Sequence, residues 1–226
     1  MNSKKKIFLA GNAITAEILY GYLSKDDRYE IIGLTVDDEF LDKGTISGIR
    51  SVPLSQIKDV FPPDNCKAIM AVGYNDLNRV RESLFTRLKA LGYNIETYIH
   101  PEAHIHTTLP IGEGSVILPS AVIEPHAHVG ADTMIWCNVT LAHHSVVGDH
   151  CWVAAGTVVS GQAKVLRNSF LGVNSTVVND VTIEAFNIVG ANALISKSTK
   201  SHAVNIARSA ELFRYSSEEY IKFFGL

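Results

Sequence analysis

Nine histidines are the side chains of this chain best suited to moving protons at neutral pH. A histidine can take the proton from an amine or a hydroxyl nucleophile and return it to a leaving group. Two of them are adjacent, His143-His144, and Gly161 stands 18 residues after the first. A glycine leaves room beside a base for a slender substrate and presents an approachable N–H, a candidate donor to a developing oxyanion. Together these residues suit acyl transfer from a thioester, which needs a deprotonated nucleophile, an aligned donor and a dipole for the oxyanion. The plainer alternative is an exposed histidine at a corner. His144 has its own alternative, a polar surface ladder with His126 and Gln162, which lie 18 residues to either side.

The interval of 18 matters because the chain repeats. From Ile111, every sixth residue is Ile, Leu or Val, through Ile117, Ile123, Val129, Ile135, Leu141 and onward to Ile195, without a gap. These residue types number 60 of 226, so chance would give the series roughly once in several hundred million registers. Four residues after each aliphatic stands a small residue, with Val139, Val181 and Asn187 as larger members. The residue before it is often Gly, Asn or Asp, types that tolerate a left-handed corner. Six residues fit one short strand and one corner, and three such units make a triangular coil. The spacing predicts five coils over 111–200, with aliphatics stacked inside.

The first hundred residues predict a small parallel α/β sheet. Strands are expected over 6–10, 30–36, 68–72 and 94–99, with helices over 13–23, 54–60 and 77–91. Leu77, Val80, Leu84, Leu88 and Leu91 would share one face of the last helix. Ligands of such sheets bind beyond the carboxyl ends of the strands, here Gly11-Asn12-Ala13, Asp37-Asp38 and Gly73-Tyr74-Asn75. The Asp pair could equally form a turn, and the first loop lacks GxGxxG, so dinucleotide binding is not expected. The division is 1–104, 105–200 and a tail, 201–226, with a short helical pattern.

A net charge of −3 gives no electrostatic reason to expect nucleic acid. Apolar runs fall far short of the roughly 20 residues of a bilayer span. The apolar stretch after Lys4-Lys5-Lys6 is too short for a signal-peptide core of about 7–15 residues. Three cysteines, Cys66, Cys137 and Cys151, cannot all pair. The expectation is a cytoplasmic protein without disulfides or membrane insertion.

A small α/β domain ahead of contiguous hexapeptide repeats resembles the bacterial sugar acyltransferases of the sialic acid O-acetyltransferase and nucleotide-amino-sugar N-acetyltransferase group. The resemblance also rests on Val36-Asp37-Asp38, Ala71-Val72-Gly73, His100-Pro101-Glu102-Ala103 and above all His143-His144-Ser145-Val146-Val147-Gly148-Asp149. It implies a Rossmann-like α/β domain followed by a left-handed parallel β-helix. It also implies acetyl-CoA as donor, a nucleotide-linked or free sugar as acceptor, no metal, and a homotrimer with the donor between neighbouring prisms. His143 takes the catalytic position, and His144 stands where an acidic residue is usual. Trp152, Gly161, Val173, Gly190 and Ala191 would line the acyl-CoA track. Asn12, Ala13, Thr15, Asp37, Asp38 and Gly73 would face the acceptor. Thr15 replaces a histidine that commonly helps bind the nucleotide sugar, and Trp152 stands where an aromatic residue or histidine is common. N-acylation is the main expectation and O-acylation the alternative.

Two further rivals follow from the repeats. A γ-class carbonic-anhydrase-like enzyme would use three histidines across coils, and His104/His106 and His126/His128 invite the comparison. It needs a pair of histidines five residues apart, which the repeat lacks. A non-catalytic scaffold is the other. Oligomerisation has a basis of its own: residues 111–200 hold ten charged side chains in ninety, against 33 in the other 136. Leu118, Trp136, Leu166 and Val178, each following an inward aliphatic, are expected at a partner surface.

Overall fold

The computed structural model describes residues 3–41, 46 and 48–225. The N-terminal part is β1 (Lys5–Ala10), α1 (Ile14–Leu23), β2 (Tyr29–Val36), β3 (Ser51–Pro53), α2 (Ile57–Val60), β4 (Lys67–Met70) and α3 (Arg79–Ala90). The strands form one parallel sheet in the order β3-β2-β1-β4. Central β1 alternates its apolar side chains between two cores. Ile7 and Leu9 pack with Leu19 and Leu23 of α1, while Phe8 and Ala10 pack with Ile57 of α2 and Leu84 and Leu88 of α3. The edge strand β3, three residues ending in Pro53, carried too little pattern to be expected from sequence.

The start of α3 differs from expectation for a physical reason. Asp76, Leu77 and Asn78 all have positive φ, 49°, 49° and 63°, so the chain makes a left-handed turn before the helix begins at Arg79. In the helix Arg81, Leu84 and Leu88 are buried, while Val80 is exposed.

From Tyr98 the chain winds into a triangular prism of two-residue parallel strands. Its three sheets have seven, six and four rungs. The first face runs from Tyr98–Ile99 through Val116–Ile117, Met134–Ile135, Trp152–Val153, Phe170–Leu171 and Ile188–Val189 to Val204–Asn205. The second begins at His104–Ile105 and includes Thr140–Leu141 and Val158–Val159; the third includes Val146–Val147 and Lys164–Val165. Paired rungs are 18 residues apart from Val116 to Ile195. The aliphatic ladder from Ile117 to Ile195 is buried, as are the small corner residues from Ser115 to Ala193. The residue before each of those has positive φ, whether Gly114, Asn138, His144 or Phe186. Tyr98–Ile99 pairs with Val116–Ile117, not with the α/β sheet, which receives only a bridge from Ile95 to Ala68. Likewise Val204–Asn205 continues the prism beyond Lys200.

The α/β domain lies on the first face, where Ile7, Leu9 and Leu19 share a core with Val116, Leu118, Met134 and Trp152. This corrects the placement of two outward residues. Leu118 is fully buried, and half-buried Trp136 packs on Trp152 at 5.5 Å between ring centroids, so this chain covers both. Leu166 and Val178 are half-buried.

A buried ionic joint locks α3 to the prism. Arg81 and Asp132, both without solvent exposure, meet at 2.7 Å. His150, one coil above Asp132, holds its other oxygen at 2.9 Å. Arg81 also donates to the carbonyls of Asp132 and Val72, both at 3.2 Å. Glu82 adds contacts to Arg167 and Asn168. The tail carries a capped helix α4 (Ser217–Phe224) whose Tyr220, Phe223 and Phe224 are exposed.

Candidate active site

His143 and His144 occupy the corner between the second and third faces. Coil stacking places Gly161 over His143 and His126 under His144. The His143 and His144 rings meet through their Nδ1 atoms at 3.3 Å. The His144 ring lies on that of His126, with centroids 4.7 Å apart. The His143 N–H donates to Glu124 Oε2 at 2.7 Å, and the His143 carbonyl accepts the Gln162 N–H at 3.0 Å.

The space beside Gly161 is not the empty one that the glycine alone suggested. A Cβ there would lie 2.7 Å from His143 Cε1 and 2.8 Å from Nε2. The absence of a side chain at Gly161 is what lets the imidazole lie against the next coil. Its N–H has no partner among the described residues. That freedom is a property of its place in the hexad, two residues after the inward aliphatic. Pro119 and Pro125 occupy equivalent places with no N–H to donate. The N–H groups of Ala131 and His143 are taken instead by the carboxylates of Asp149 and Glu124. At Gly161 the donor stays open beside a histidine. Gly161→Ala needs no forbidden backbone angle, yet must push the imidazole aside. Turnover should fall by about 10- to 100-fold with thermal stability nearly unchanged; steady-state kinetics and a melting curve check both.

The other expected residues form separate groups. Val173, Gly190 and Ala191 lie at the corner between the first and second faces, with Val173 and Ala191 one coil apart. Trp152 is 4% exposed on the first face, covered by Tyr74 at 5.1 Å. Its expected place beside the thioester at Gly161 is therefore not met within one chain, because the α/β domain covers its face.

Asn12, Ala13, Asp37 and Gly73 come together around a cleft of about 280 Å³ that also includes Phe40, Val80, Leu84 and Arg87. The short approach of two loops builds it. Gly11, at φ +136°, sits where a Cβ would be 2.5 Å from the Ala71 carbonyl oxygen. Asn12 donates from Nδ2 to the Phe40 carbonyl at 2.9 Å, tying the loop after β1 to that after β2. Thr15 stands behind Gly73, its hydroxyl 3.5 Å from where a Cβ would be. Asp38 faces away and accepts the Ser55 N–H. Sequence reasoning missed Arg87, which grips Asp37 with two bonds of 2.5 and 2.9 Å and is thereby held fully charged. Tyr74 was expected only as part of the Gly73-Tyr74-Asn75 strand end; its ring bridges the cleft loop to Trp152 and Phe170.

Cysteine chemistry has little support. Burial raises the Cys66 thiol and pushes Cys151 up to about 12. Among the described residues, no group of three or more His, Cys, Asp or Glu is placed to hold a metal ion. No helix among them is long and apolar enough to cross a membrane.

Comparison with known proteins bears on the fold. The family pattern described as bacterial transferase hexapeptide (six repeats) matches residues 126–161. No curated protein matches the chain. Among solved structures, the acetyltransferase domain of PglB from Neisseria gonorrhoeae superposes with a TM-score of 0.80 at 19% identity, over 90% of this chain and 97% of that one. PerB from Caulobacter crescentus, in complex with CoA and GDP-perosamine, gives 0.79 at 20% identity, over 90% and 94%. WeeI from Acinetobacter baumannii gives 0.74 at 19%, over 91% and 97%. The chain therefore has the fold of these proteins, with a left-handed parallel β-helix built on bacterial-transferase hexapeptide repeats.

Proposed function

We propose that this protein transfers an acetyl group from acetyl-CoA to the amino group of a nucleotide-linked amino sugar. The observation that carries this reading is the His143 imidazole lying against Gly161, whose N–H is open. The folds it shares include one solved with acetyl-CoA and one with CoA and GDP-perosamine. In this reading 1–104 is a Rossmann-like acceptor domain, 105–200 a five-coil acyltransferase domain and 201–226 a tail. The prism rungs at Tyr98–Ile99 and Val204–Asn205 cross those boundaries.

His143 donates its Nδ1–H to His144, which leaves the Nε2 lone pair free. Nε2 removes a proton from the sugar ammonium's conjugate amine as its nitrogen bonds to the thioester carbonyl carbon. The Gly161 N–H stabilises the oxyanion, and the imidazolium returns its proton to the departing CoA thiolate. The cleft holds the acceptor: Phe40, Val80 and Leu84 offer an apolar wall for a planar base, and Asp37 with Arg87 offers polar edges.

The base and the cleft lie on different sides of one prism, as do Gly161 and the Val173–Ala191 corner. Both separations are removed if two copies share each site, the donor lying between prisms and the neighbour's His143 reaching the Tyr74–Trp152 side of the cleft. A homotrimer does this with closed symmetry. Light scattering on the eluting protein should give three copies of the 24.7 kDa chain, about 74 kDa. A fully active 25 kDa species would overturn the shared site. Calorimetry should show acetyl-CoA binding to the trimer, and absence of binding would overturn the donor.

A further inference from the structure

The side chain following the base is a histidine, so the corner lacks an adjacent carboxylate. One coil below, Glu124 stands directly beneath Ala142, and its Oε2 accepts the His143 N–H at 2.7 Å. That bond fixes the backbone from which the imidazole projects. Glu124 is half-buried, whereas His143 is exposed.

From this geometry we infer that Glu124 is a positioning residue for His143, anchoring from the coil below the backbone from which the base projects. In the proposed reaction His144 accepts at Nδ1, and its own ring is stacked on that of His126. The inference rests on His143 being the base of the proposed reaction. The titratable and charged side chains on the coil segments stacked at this corner are Glu124, His126 and His128 below, His144 beside the base, and Lys164 and Asp180 above. Of these, Glu124 and His144 bond to His143.

The discriminating variant is Glu124→Gln, whose amide oxygen can still accept the His143 N–H but carries no charge. Because Gln keeps that bond, kcat should fall by no more than about 3-fold. Glu124→Ala, which frees the N–H, should lower kcat by about 10-fold while the KM for acetyl-CoA stays near wild type. A purely structural role would lower stability in both variants and would not be rescued by Gln. The His143 amide resonance in 15N NMR should move in Glu124→Ala and stay near its wild-type position in Glu124→Gln. That readout needs no turnover, so it stands or falls separately from the acetyl-transfer reading. Wild-type kcat with an unmoved His143 amide in Glu124→Ala would overturn the inference.

Discussion

His143→Ala should lower turnover by at least about 100-fold while the melting temperature stays within a degree or two of wild type. The size follows from the chemistry. A neutral sugar amine cannot form an amide without losing a proton, and the CoA thiolate cannot leave efficiently without gaining one. In the proposed reaction one side chain does both. The stability expectation follows from position: His143 is exposed, and its ring touches Gly161 and His144 rather than the aliphatic core. His144→Ala should cost less, because the Nε2 lone pair would remain although the tautomer would no longer be held. If His144→Ala proved the more damaging of the two, the roles of the rings would be exchanged. Turnover near wild type in His143→Ala would remove the base from the mechanism.

Asp132→Ala should be the most destabilising single change at the junction of the two domains, by about 3–5 kcal/mol. The argument is one of uncompensated charge. Arg81 has no solvent exposure, and Asp132 is the carboxylate that meets it. Removing it leaves a buried guanidinium that, among the described residues, has only the residue-132 and Val72 carbonyls to accept its protons. His150 loses its hydrogen bond to Asp132 as well. Because Arg81 also holds the Val72 carbonyl, the cleft loop should loosen, and the apparent KM for the acceptor should rise before that for acetyl-CoA. A urea titration measures the first effect and initial rates the second. The double variant Arg81→Met with Asp132→Leu should recover part of the loss, since apolar replacement of a whole buried pair is far less costly than removing one member. A loss below about 1 kcal/mol in Asp132→Ala would mean that the joint does not carry the interface.

The prism was legible because its period is short and each position in the hexad has one steric task. Ile, Leu or Val must fill the interior, a small residue must fit the corner, and the residue before that must accept positive φ. The α/β strands were legible as apolar runs ended by Gly or Asp. What escaped has physical causes. Ser51–Pro53 is an edge strand three residues long. The left-handed turn at Asp76–Asn78, whose Leu77 carbonyl accepts from Asn168, has no signature in helix propensity, and the helix after it buries Arg81 where Val80 was expected. The grip of Arg87 on Asp37 joins residues 50 apart with no periodicity to announce it. Gly161 over His143 and Glu124 under Ala142 were readable once 18 was known to be one coil. The expected interface residues Leu118 and Trp136 failed because a periodic pattern shows that a side chain points outward, not whether the chain's own domain waits there.

Thiol release from acetyl-CoA by the full chain, with mass spectrometry of the acceptor, tests the central claim most directly. The acceptors should be GDP- and UDP-linked amino sugars set against free sialic acids. The expected result is CoA released in step with an N-acetylated nucleotide sugar, and none in His143→Ala. Transfer to hydroxyls of free sialic acid alone, or acetyl-CoA bound without transfer to any amino sugar tested, would contradict the account.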